Sequence, residues 1–134
     1  MKKKILALLV AVTLCMVLIA MPFSASAASS VSYRLGDYYC YGNLSRGTSN
    51  LNEPTATATT TYGTRASYLD AAVKITVKWG TNYYTRTAGN EMQNATGTTA
   101  FVNSGYSGGA FVSAEGEHYV STGVASWGYV KTNL

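Results

Sequence analysis

Gly105-Tyr106-Ser107-Gly108-Gly109 fits the Gly-x-Ser-x-Gly pattern of a nucleophile elbow, in which a serine on a strained strand-to-helix turn attacks an acyl carbon. The residues that follow, Ala110-Phe111-Val112-Ser113-Ala114, alternate as a strand does, so the helix that an elbow needs is not predicted. The one histidine, His118, stands beside Glu115 and Glu117, a trio that would suit metal binding or acid–base work. Zinc or copper needs three or four converging ligands, and no spacing in this chain assembles them. The sequence therefore predicts no catalytic residue, no metal ligand and no cofactor. It reads 105–109 as a glycine-rich turn and Glu115-Gly116-Glu117 as a solvated hairpin tip.

The tyrosines point instead to recognition without reaction. Tyr38, Tyr39, Tyr41, Tyr62, Tyr68, Tyr83, Tyr84 and Tyr106 are too many rings for a small core, and adjacent pairs must place one ring on each face of a strand. Some rings are therefore expected in solvent, among threonine, asparagine and serine, where they suit stacking on sugars or contact with a protein. Tyr38, Tyr62, Tyr83, Tyr84 and Tyr106 are the candidate ligand-binding residues. The plainer alternative is that these rings pair across strands and stiffen a sheet.

Several elements must position those rings. Lys2, Lys3 and Lys4, the apolar run 5–20, Pro22 and the small residues Ala25-Ser26-Ala27 have the layout of a secretory signal peptide. Residues 1–27 are read as that leader and 28–134 as one secreted domain, with no membrane anchor after cleavage. The leader takes three of the ten basic residues and none of the six acidic ones, leaving seven against six. With no basic run interleaved with aromatics, nucleic-acid binding is excluded. Cys40 is then the one remaining cysteine, so no internal disulfide is expected; it is a buried filler, which its aromatic strand context favours, a free thiol or half of an intermolecular bridge.

All 13 glycines and all 11 tyrosines lie beyond the leader, threonine is abundant and leucine scarce, which predicts an all-β fold. The stretch 71–79 is the clearest strand: Ala71, Val73, Ile75, Val77 and Trp79 share one face and Ala72, Lys74, Thr76 and Lys78 the other. In 55–62, Ala56, Ala58, Thr60 and Tyr62 oppose a threonine face. Residues 31–35 and 38–44 read as a hairpin, 45–54 as a loop, and 63–70 as a connector. Gly80-Thr81-Asn82 reads as a turn, and 88–97 as a loop with at most one helical turn. Further strands follow at 83–87, 98–103, 110–114, 118–121 and 123–131. This spacing predicts a small antiparallel β-sandwich or barrel-like domain with Val73, Ile75, Val77, Trp79, Phe101, Val112 and Trp127 in its core.

The serine segment resembles that of chymotrypsin-like proteases, but His118 follows the serine and the chain is too short for a double barrel. The expected function is that of a secreted, non-enzymatic binding protein presenting a tyrosine- and threonine-rich sheet face to cell-wall glycan or a protein partner. In layout, a Gram-positive-style leader before a short, disulfide-free, glycine-, tyrosine- and threonine-rich chain, the protein resembles the Sec-exported lactococcin-type bacteriocins. That resemblance implies an antibacterial protein as the second expectation.

Overall fold

The computed structural model describes residues 29–134, and the signal-peptide reading of 1–27 lies outside them. Six antiparallel strands form one sheet that folds over on itself and nearly closes into a barrel, and the described residues contain no helix. They are β1 (Ser30–Leu35), β2 (Tyr38–Thr48), β3 (Pro54–Trp79), β4 (Asn82–Asn103), β5 (Ala110–Ser121) and β6 (Ser126–Asn133).

The long strand β3 organises the rest. Along one edge it pairs with β4 from Thr55↔Asn103 to Trp79↔Asn82. Its other edge takes β2 over the first half, from Thr48↔Pro54 to Cys40↔Tyr62, and β5 over the second, from Tyr68↔Ser121 to Lys78↔Ala110. Between the halves the β3–β4 register slips from Thr61↔Gly97 to Ala66↔Ala95, so β3 carries extra residues at this point. Such a bulge bends a ribbon sharply. The β3–β4 ribbon doubles back there, and its two halves face each other with β2 and β1 beside the first and β5 and β6 beside the second. The outer edge of β4 has no strand partner among the described residues.

Alternation fills the space between the halves. Leu44, Ala56, Ala58, Ala100 and Val102 from one side meet Ala71, Val73, Ile75, Val77 and Ala114 from the other, and small alanines let the layers approach. A second cluster, Leu35, Cys40, Tyr62, Ala66, Leu69, Val120 and Trp127, fills the end nearer the bend. Each larger apolar side chain buried here contributes about 1.5–3 kcal/mol gross, most of which offsets chain entropy.

Several expectations change. The connector 63–70 and the loop 88–97 are strand, because backbone pairing of β3 with β4, including Val73↔Ala88 and Asp70↔Glu91, overrides a composition that reads as turn. Trp79, Phe101 and Val112 are exposed, whereas Trp127 is buried as expected. Cys40 is free and fully buried, and burial pushes its thiol up to about 11. Glu115-Gly116-Glu117 is not a hairpin tip but mid-strand in β5, with Gly116 between Val73 and Thr132.

His118 is accordingly not solvated: it is fully buried between the two halves. Thr60 Oγ1 donates its one hydrogen to the Asp70 carbonyl at 2.8 Å, so it can only accept from His118 Nδ1–H at 2.9 Å. That fixes the neutral tautomer, and Nε2 accepts from the Thr132 hydroxyl at 2.9 Å. The ring fits because a Cβ at Gly42 would stand 2.5 Å from it and one at Gly116 2.6 Å from Thr132 Oγ1. Burial pushes the His118 pKa down to about 4.

Candidate functional site

Beyond Val77, the inward face of β3 runs past the end of the core, and Trp79 emerges 49% exposed beside the Gly80–Thr81 turn. Tyr84 lies opposite Val77 on β4 and so shares that face. The 104–109 loop supplies the third ring: Tyr106 stacks on Tyr84 with centroids 4.2 Å apart and leans on Trp79 at 5.8 Å. Tyr84 and Tyr106 close off this end of the core, and Trp79 stands outside them.

The Gly105-Tyr106-Ser107-Gly108-Gly109 segment builds this site as a loop and not as an elbow. Gly105 and Gly108 adopt φ of 72° and 70°, a region that favours glycine. The loop is anchored on the start of β3 by Ser104 N–H to Pro54 O (2.9 Å) and on the β2–β3 connection by Gly108 N–H to Asn52 O (2.8 Å) and the Ser107 hydroxyl to Leu51 O (2.7 Å). The Trp79 indole N–H donates to Ser107 O at 3.2 Å, which ties the ring to the loop. With Ser107 facing Leu51 and both His118 nitrogens taken by threonines, the serine has no imidazole base.

Cations stand among these rings. The Arg86 guanidinium lies 5.9 Å from the centre of Tyr106 and against the backbone of Gly105, where a Cβ would come within 2.9 Å of Nη1. Lys78 Nζ sits 5.9 Å from the Tyr83 ring, itself 64% exposed, and Arg46 is 5.1 Å from Phe111. Arg46 and Phe111 line an open groove of about 380 Å³ with Thr48, Pro54 and Gly109.

No family model, curated protein or solved structure matches this chain. The site is therefore read from its geometry alone.

Of the candidate tyrosines, Tyr83, Tyr84 and Tyr106 come to this end together. Tyr38 and Tyr62 lie at the opposite one, beside an open groove of about 340 Å³ that also includes Asp37, Arg65 and Val124. Tyr62 is buried, donates its phenol proton to Leu35 O at 2.8 Å and meets the edge of Tyr38 at 5.9 Å, so its ring is held in place by the fold. Among the described residues, no group of three His, Cys, Asp or Glu side chains is placed to hold a metal ion.

Sequence reasoning missed Trp79, which it assigned to the core, and the cations Arg46, Lys78 and Arg86. A usable signal was Trp79-Gly80, since the last residue before a turn sits at a rim. It also missed Tyr119 and Tyr129, which with Tyr68 form a row across the outer face of β3, β5 and β6 at 5.8 and 5.0 Å. Burial and then the adjacent Glu91 carboxylate push the Tyr68 phenol up to about 12. Burial and the neighbouring Glu91 and Glu117 also raise the Asp70 carboxyl. In this row each ring leans on the next, the cross-strand stiffening arrangement.

Proposed function

We propose that this is a secreted, non-enzymatic binding module that holds a saccharide chain of the cell wall against the aromatic end formed by Trp79, Tyr83, Tyr84 and Tyr106. The observation that carries the reading is the contact of Trp79, Tyr106 and Tyr84 at a rim where Trp79 stays half exposed. Flat rings of this kind stack on the C–H faces of sugars, and the loop that holds them preorganises the surface so that little side-chain freedom is lost on binding. The exposed threonine pairs Thr59–Thr99 and Thr76–Thr85, at 3.2 and 3.0 Å, extend a hydroxyl-bearing surface over the outer sheet faces.

Co-sedimentation with purified cell-wall material tests this. The domain 28–134 should pellet with the wall fraction, and Trp79→Ala combined with Tyr106→Ala should reduce the bound fraction about tenfold while Tyr62→Phe leaves it unchanged. Equal retention of wild type and double variant would overturn the reading, as would killing of bacteria by a protein that does not bind their walls.

A further inference from the structure

The three cation–ring contacts, Arg46 on Phe111, Lys78 on Tyr83 and Arg86 on Tyr106, share one property. Among the described residues, ion pairs join only Glu115 to Lys74 and Lys131, so none of these three cations has a carboxylate partner. All three stand at the end that carries Trp79 and the 104–109 loop, Arg46 and Arg86 on the same sheet face as Trp79 and Lys78 on the opposite one. Glu53, on the β2–β3 connection that anchors the loop, accepts from Asn103 Nδ2 at 2.6 Å and the Ser49 hydroxyl at 3.4 Å. Asp70, Glu91 and Glu117 lie instead on the outer face of the second half, nearer the bend.

The aromatic end thus gathers three cations that no carboxylate pairs. A guanidinium stacked on an aromatic ring keeps its in-plane N–H donors free for an anion, and Arg86, wedged between Tyr106 and Gly105, is held with its donor fork in place before any ligand arrives. Uncharged sugars need rings and hydroxyl partners but no fixed, unneutralised cations.

Resting on the saccharide reading above, we propose that the ligand is an acidic polysaccharide: a chain whose sugar rings stack on Trp79 and Tyr106 while its anionic groups are received by Arg86, Lys78 and Arg46. The rings supply contact area and the cations supply selection among glycans, because a neutral chain leaves them with water alone.

Titration of the domain 28–134 with three probes tests it: polygalacturonate, neutral dextran of similar length, and inorganic polyphosphate. Polygalacturonate should bind at least about tenfold more tightly than dextran and weaken about tenfold or more between 50 and 500 mM salt, since exposed charge contacts are screened. Arg86→Gln with Lys78→Gln should weaken polygalacturonate about tenfold or more and dextran far less, while Arg86→Lys recovers part of the loss. An unchanged thermal midpoint in each variant shows that the fold is intact. Equal, salt-independent binding of polygalacturonate and dextran overturns the acidic selection and leaves the saccharide reading standing. Polyphosphate binding as tightly as polygalacturonate, and insensitive to Trp79→Ala, overturns both, as does binding of none of the three.

Discussion

His118 shows how much one side chain can decide when it is buried with its partners fixed. Protonating it would place a charge between the halves and leave the Thr132 hydroxyl proton without an acceptor, since Nε2 would itself become a donor. The folded pKa of about 4 lies below the ordinary 6.5, so between those values the unfolded chain binds more protons than the folded one. Stability from this group is therefore complete above pH 6.5 and lost as pH falls through 4, by about 3 kcal/mol in all. Denaturant unfolding measured from pH 7.5 to 4 should show that decline, and His118→Gln, which keeps a donor and an acceptor but cannot charge, should flatten it. Gly42→Ala should be destabilised by about 1–3 kcal/mol at neutral pH, because the added methyl meets the imidazole. Cys40, buried and with a raised pKa, should react with a thiol reagent only as fast as the chain opens, which a comparison of modification and unfolding rates will check.

At the scale of the strand, β3 is flanked on both edges through most of its length, while β1 and β6 each have one partner. Amide exchange should therefore be slowest at Val73, Ile75 and Leu69 and fastest in β1, measured residue by residue by NMR. The strand 71–79 was legible in the sequence because its apolar residues alternate without interruption. The buried set Ala56, Ala58, Thr60 and Tyr62 was legible for the same reason. Residues 88–97 and 115–117 were not, because Gly and Asn are turn formers, Glu is disfavoured in strands, and such residues become strand only through partners far away in sequence, such as Gly116 opposite Val73. The candidate site was legible by composition but not by place. Excess tyrosine implied exposed rings, yet which rings met depended on the bend near 62–65, which sends Tyr62 to one end and Trp79 to the other. The cations at the aromatic end carried no sequence signature, since Lys78, Arg86 and Arg46 are isolated residues that only the fold gathers.

For the molecule as a whole, the doubled β3–β4 ribbon runs through both facing halves, so neither half has a complete set of strands without the other. Unfolding should be a single cooperative event. Far-ultraviolet circular dichroism and tryptophan fluorescence should give coincident denaturation curves, and separated midpoints would show that the halves melt independently. Among the described residues, the outer flank of β4, from Asn82 to Asn103, has no strand partner, and only its Asn90 and Thr99 carbonyls take side-chain hydrogen bonds from within the strand. An unpaired flank of that length is a template for another extended chain, and devices such as the inward-facing Arg86 and the left-handed backbone at Asn94, with its φ of 49°, blunt it. Raising the concentration should therefore drive lateral pairing through this flank, seen as sedimentation coefficients that climb with loading, and a coefficient that stays constant would show that the flank is blunted well enough.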